Sequence, residues 1–197
     1  MERMSQRLRN LPPYLFAEID RRRKQLIDAG KDVINLGVGD PDLPTPPRIV
    51  EEMRRAVGNP AFHRYPLGSG SVRFREAISA YYAREYHVSL DPEQEICVLI
   101  GSKEGIAHTP LAFLNPGDVA LVPEPGYPVY GIGTMLAGGI PYFLPLTERN
   151  GYLPDLSRIP GDVLAKARLL FLNYPNNPTA AIALAELLQD AINFCAK

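Results

Sequence analysis

Leu169-Leu170-Phe171-Leu172-Asn173-Tyr174-Pro175-Asn176-Asn177-Pro178-Thr179 joins an unbroken apolar run to a segment of prolines and asparagines. An apolar run without alternation fits a strand covered on both faces, and the Pro and Asn residues end it in rigid turns. Open α/β sheets bind ligands at the carboxyl ends of their strands, so amide side chains placed there are candidates for contact. Asn177 stands out, because Pro178 holds it extended and its amide can donate to a ligand oxygen. Taken alone, the segment reads equally well as a plain turn.

Upstream, the same pattern repeats. Apolar runs at Ile96 to Ile100, Val119 to Val122 and Pro141 to Leu144 precede Leu169 to Leu172, and between them lie helix-length stretches at Lys103 to Leu114, Pro128 to Ala137 and Asp155 to Ala167. Strands separated by helices predict parallel β-α-β units, hence an α/β, mainly parallel sheet with helices on both faces. Downstream of Thr179, Ala180 to Lys197 reads as one amphipathic helix.

The amino-terminal half is less regular. Phe16, Ile19, Leu26 and Ile27 share one face of a helix predicted over Leu15 to Ala29, with Gly30 as its stop. Val33 to Leu36 reads as a short strand, and residues 37–47 as an irregular loop in which Gly39 lets backbone approach a ligand. Pro47 to Val57 has Pro at its start and Gly58 after its end. Ser71 is a candidate N-cap for a further helix whose Val72, Phe74 and Ile78, with Leu67 before them, would cover apolar surface.

With 197 residues, 46% hydrophobic and 22% charged, the chain can bury one sizeable core. A net charge of −1 gives no electrostatic reason to expect nucleic acid or an anionic membrane as partner. Arg21 to Lys24 is interspersed with Glu18, Asp20 and Asp28, as on a solvated helix face. Cys97 and Cys195 lack metal-ligand spacing and suit a reducing cytoplasm, and no apolar signal core or membrane-length run is present. His63, His87 and His108 are scattered and read as surface or packing residues.

Two more segments carry chemistry. Gly101-Ser102-Lys103-Glu104-Gly105 leads from an apolar run into a helix, where free N–H groups, the helix dipole and the Ser102 hydroxyl make an anion site. Glu124-Pro125-Gly126-Tyr127-Pro128 follows another apolar run, and Tyr127 could lay its ring on a flat heteroaromatic ligand. Each also has a plain structural reading, a strand-to-helix turn and a core tyrosine. Gly37-Val38-Gly39 lacks the third Gly and the following helix of a dinucleotide site.

Together these segments resemble the class I/II, fold type I, pyridoxal-phosphate aminotransferases, and Gly-Ser-Lys-Glu-Gly is close to the version in the LL-diaminopimelate aminotransferases. The resemblance implies a partial three-layer α/β/α fold. Residues 1–45 would be an amino-terminal arm and small-domain segment, and residues 46–197 an incomplete cofactor-binding large domain. It implies that Ser102 and Lys103 lie at the cofactor phosphate, that Tyr127 stacks on the pyridine ring, and that Asn177 hydrogen-bonds the ring's phenolic oxygen. Tyr65, heading Tyr65-Pro66-Leu67-Gly68-Ser69-Gly70, would reach a neighbouring subunit's cofactor phosphate in a homodimer, and Gly39 would lie against the substrate carboxylate. The implied activity is amino-group transfer between an amino acid, LL-2,6-diaminopimelate in the nearest group, and 2-oxoglutarate, in cytoplasmic lysine biosynthesis. Ala180 stands where most of the family has Gly, although the diaminopimelate-type members accept Ala.

The resemblance also implies residues that lie beyond this sequence: an Asp for the pyridine nitrogen, a Lys that anchors the cofactor, and an Arg for the substrate carboxylate. Without Lys and Asp the chain is expected to be inactive alone. The rival expectation is a non-catalytic, truncated or split chain that binds phosphate or the cofactor weakly, or pairs with another chain. In either case the Ile96 to Ile100 strand, distant in the family from Leu169 to Leu172, is expected to leave an apolar edge bare rather than pair with it.

Overall fold

The computed structural model describes residues 3–13, 15–37, 39, 41–65 and 68–196, without the side chains of residues 15 and 16. In chain order the helices and strands are α1 (Gln6–Arg9), α2 (Leu15–Asp28), α3 (Pro47–Val57), α4 (Val72–Tyr86), α5 (Ser102–Phe113), β1 (Val119–Glu124), α6 (Val129–Leu136), β2 (Ile140–Pro145), α7 (Gly161–Leu164), β3 (Ala167–Leu170) and α8 (Ala185–Cys195). They fall into two bodies, one formed by Met1–Pro12 with Leu99–Lys197, the other by Pro13–Val98.

The first body is built on β1. It is the middle strand of a parallel sheet ordered β2-β1-β3, pairing Val119 to Glu124 with Ile140 to Pro145, and Val119 to Leu121 with Ala167 to Leu170 across one irregularity after Val119. Because side chains alternate along a strand, β1 serves two cores. Ala120 and Val122 pack with Leu114 and Tyr130 on the side of α5 and α6. Val119 and Leu121 pack with Leu144 and Ile159 on the other, where Val163 of α7 and Phe194 of α8 close over them. The expected layering of helix, parallel sheet and helix is therefore present. α5 and α6 approach closely because Gly133 is bare; a Cβ there would stand 3.2 Å from the Ala107 carbonyl oxygen. Arg7 of α1 donates to the Leu136 carbonyl at the end of α6 (3.0 Å), a cation at a helix carboxyl terminus.

In the second body, α3 runs over the residues its flanking Pro and Gly predict. Glu51–Arg54 (3.7 Å) and Glu52–Arg55 (2.6 Å) pairs line its polar side. α4 ends at His87, which takes a left-handed conformation (φ 56°). Arg75 is buried and donates to the Pro92 carbonyl oxygen, and Ser79 Oγ donates to the Leu90 carbonyl oxygen (2.7 Å), so α4 holds the segment that follows it.

Several expectations need correction. Ile96 to Ile100 forms no strand: the Val98 N–H donates to the Ser69 carbonyl (3.0 Å) rather than to a neighbouring strand. Val33 to Leu36 likewise forms no strand, and both segments show that apolar, β-branched residues make a strand only where a partner offers hydrogen bonds. Asp155 to Ala167 is not one helix. Asp155 caps a single 3-10 turn through the Ser157 N–H (3.1 Å), and Pro160 then starts the short α7. The last helix begins at Ala185 rather than Ala180, which adopts φ 59° and cannot lie inside a helix. Ser71 stands at the N-cap of α4, but its side chain makes no capping bond. Leu67 lies outside the described residues.

Candidate functional site

Two turns leave the carboxyl end of the parallel sheet. After β1 the chain passes through Pro125-Gly126-Tyr127, anchored by the Leu146 N–H donating to the Glu124 carbonyl (2.7 Å). Position 126 must be Gly, since a Cβ there would overlap the Pro123 carbonyl oxygen. Tyr127 is half-buried and meets Tyr130 edge-on, with ring centroids 5.9 Å apart; Tyr130 in turn stacks on Phe171 at 4.9 Å and 20°. Burial pushes the Tyr130 phenol above its ordinary range, with a smaller contribution from Tyr127. Tyr127 is thus seated on a rigid aromatic support.

After β3, the Phe171 N–H donates to the Leu121 carbonyl (3.0 Å), and the chain then folds back on itself. The Ala180 N–H donates to the Asn176 carbonyl (2.7 Å) and the Asn176 N–H to the Ala181 carbonyl (2.8 Å). The Tyr174 hydroxyl donates to the Tyr152 carbonyl (2.9 Å), and burial raises this phenol's pKa as well. Within this turn the two asparagines differ. Asn176 is buried, whereas Asn177 is exposed, so the amide singled out in the sequence is available to a ligand.

The third segment opens α5. Gly101 at φ 93° and ψ 152° occupies a region open essentially to Gly alone, and it directs Ser102 and Lys103, both exposed, into the first turn of a 12-residue helix. The first N–H groups of a helix have no acceptor within it, and the dipole adds about half a positive charge there. Glu104, also in this first turn, accepts from the Ile100 N–H (2.7 Å). One turn further on, Ile106 packs against the same apolar cluster as Tyr127 and Phe171, so the three segments gather round one support.

The structure therefore collects Ser102, Lys103, Tyr127 and Asn177 in one body. Tyr65, 85% exposed, and Gly39, with open space where a Cβ would be, belong to the other. Sequence reading missed Asn176. Only its burial separates it from Asn177, and the sole signal in the sequence was the doubling of Asn before Pro178.

The sequence profile of the family "Aminotransferase class I and II" matches residues 31–197. The chain belongs to this family. It is 52% identical over 190 residues to the LL-diaminopimelate aminotransferase of Moorella thermoacetica, covering 96% of the chain and 49% of that protein. It is 54% identical over 194 residues to the enzyme of the same name from Aquifex aeolicus, covering 98% and 50%. Among solved structures, apo-BacF from Bacillus subtilis superposes with a TM-score of 0.90 at 46% identity, covering all of this chain and 50% of that one. A Thermus thermophilus aspartate aminotransferase mutant superposes with a TM-score of 0.89 at 28% identity, covering 100% and 51%. The chain thus spans about half the length of the curated relatives it matches. The family is pyridoxal-phosphate dependent and acts on amino acids and 2-oxo acids. Among the described residues, no helix is long and apolar enough to cross a membrane.

Proposed function

We propose that this chain is the cofactor-cradling half of a cytoplasmic, homodimeric aminotransferase that exchanges an amino group between LL-2,6-diaminopimelate and 2-oxoglutarate. The observation that carries the reading is that α5, through Ile106, packs against the same apolar cluster as Tyr127 and Phe171, while Ser102 at the start of α5 and Asn177 in the turn after β3 are both exposed. This donor set suits pyridoxal phosphate: an anion, a flat ring and a phenolic oxygen each find a matching group. When bound, that group draws electrons away from the α-carbon of an attached amino acid.

The chain's own residues do the holding. Ser102 and Lys103 at the start of α5 bind the phosphate, helped by the helix dipole, a contribution of about 0.3–1 kcal/mol at an exposed terminus. Tyr127 orients the ring by stacking, worth about 0.5–1.5 kcal/mol beyond burial. Asn177 donates its amide to the phenolic oxygen and so fixes the ring's rotation in its plane. Gly39 leaves room for the substrate carboxylate, and Tyr65 reaches the neighbouring subunit's phosphate. No lysine in these motifs stands where a covalent anchor or a base at the α-carbon would, so the 197 residues alone hold the group without turning substrate over.

Titration of the chain with pyridoxal 5′-phosphate, followed by tyrosine fluorescence, tests this reading. Saturable binding that inorganic phosphate competes away, weakened about tenfold each by Ser102→Ala and Asn177→Ala, is expected. Binding indifferent to both substitutions would overturn it. The second reading, a chain that pairs with another without catalysis, draws on the bare apolar side chains of Ile34, Leu36 and Leu43. Restored turnover on co-expression with a segment bearing the missing lysine would exclude it.

A further inference from the structure

We infer that Asn176 is a positioning residue that locks the turn after β3 to the turn after β1, and so sets Asn177 relative to Tyr127. The inference rests on the reading above for what those two residues contact, but its geometry stands without it. Asn176 is 3% exposed. Its Nδ2 donates to the Thr179 hydroxyl oxygen (2.9 Å), inside its own turn, and to the Pro125 carbonyl (3.3 Å), 51 residues away in the other. Its backbone closes the loop from 176 to 181 in both directions. One side chain therefore reaches from the residue before Asn177 to the residue two before Tyr127.

The amide's orientation is fixed by its partners. Pro125 offers a carbonyl oxygen, which needs a donor, so Nδ2 must face it and Oδ1 must face away. Oδ1 is buried and has no hydrogen-bond partner among the described residues. A buried, unsatisfied acceptor is costly, and a fold that tolerates one while spending both amide hydrogens on this bridge depends on the bridge. Aspartate cannot replace the residue, since its ionised carboxylate would face the Pro125 carbonyl with no hydrogen to donate.

Hydrogen exchange on the chain without any added ligand separates the bridge from a local effect. Asn176→Ala and Asn176→Asp are expected to speed amide exchange in the segment 171–182 and also in 125–130, whereas Thr179→Val, which leaves the Pro125 bond, is expected to speed exchange in 171–182 alone. In a second measurement, Asn176→Asp is expected to weaken pyridoxal 5′-phosphate binding about tenfold, although its side chain touches no ligand. Unchanged exchange at 125–130 in both Asn176 variants would overturn the inference. If wild-type chain binds no pyridoxal phosphate while the coupled exchange is seen, the functional reading fails and the bridge stands.

Discussion

The two bodies of this chain are stabilised to very different degrees. In the body containing the sheet, β1 is covered on both faces, and Leu121 and Thr134 are almost wholly enclosed. In the body from Pro13 to Val98, only Arg75 and Ile96 are buried among the described residues, while Ile49, Met53 and Val57 on α3 lie open. Its helices have sound local signals, including flanking Pro and Gly and i,i+3 ion pairs, yet their apolar sides cover little. Local signals suffice to form a helix, but burial of its apolar stripe supplies most of the stability in a folded protein. Tyr127 and Asn177 of the candidate site therefore rest on a well-buried core, whereas Gly39 and Tyr65 do not.

The most damaging test of this contrast is Leu121→Ala, at 1% exposure. It is expected to cost about 2–5 kcal/mol, read as a fall in the urea midpoint of the sheet's unfolding. A cost near zero would mean that the sheet body is as loosely packed as the other. Next in size is Gly101→Ala, which forces a Cβ into φ 93° and should cost about 1–3 kcal/mol while weakening phosphate binding. By contrast Ile49→Ala, on α3 at 57% exposure, should change stability by less than about 0.5 kcal/mol. Polar replacement of Ile49, Met53 and Val57 together should lower binding of the dye ANS, with no loss of the sheet's cooperative transition. If it abolished that transition instead, the α3 face would be part of a core.

The smallest expected effect is spectroscopic. Tyr130 and Tyr174 have folded-state pKa values raised above 10.0 by burial, so their neutral forms are favoured in the folded chain. The stability they contribute is full below pH 10 and is lost as pH rises through the raised values. Ultraviolet titration should show late-ionising phenols, of which one is lost in Tyr130→Phe and one in Tyr174→Phe; Tyr86, raised chiefly by its hydrogen bond with Tyr81, should persist in both.

Much of the sheet body was legible in the sequence because its signals are local. Continuous apolar runs located β1, β2 and β3 to within two residues or so, and Pro47 with Gly58 bounded α3. What was not legible depends on partners distant in sequence. Ile96 to Ile100 has the composition of a strand and no strand beside it; Val98 spends its N–H on Ser69 instead. Pro160 breaks a stretch whose apolar spacing suits a helix. At the site, Ser102, Tyr127 and Asn177 were legible as residue types in a pattern, whereas the role of Asn176 appears only once a carbonyl 51 residues away is seen against its amide.

On the proposed function, Ser102, Lys103, Tyr127 and Asn177 hold the cofactor reversibly and no lysine among these 197 residues binds it covalently. The most direct test is to saturate the isolated chain with pyridoxal 5′-phosphate, reduce with borohydride and map the modified residues. The expected result is reversible, phosphate-competed binding with no single lysine labelled stoichiometrically. A stoichiometric adduct at Lys103 would contradict this, because it would place the reactive carbonyl of the cofactor, rather than its phosphate, at the amino terminus of α5.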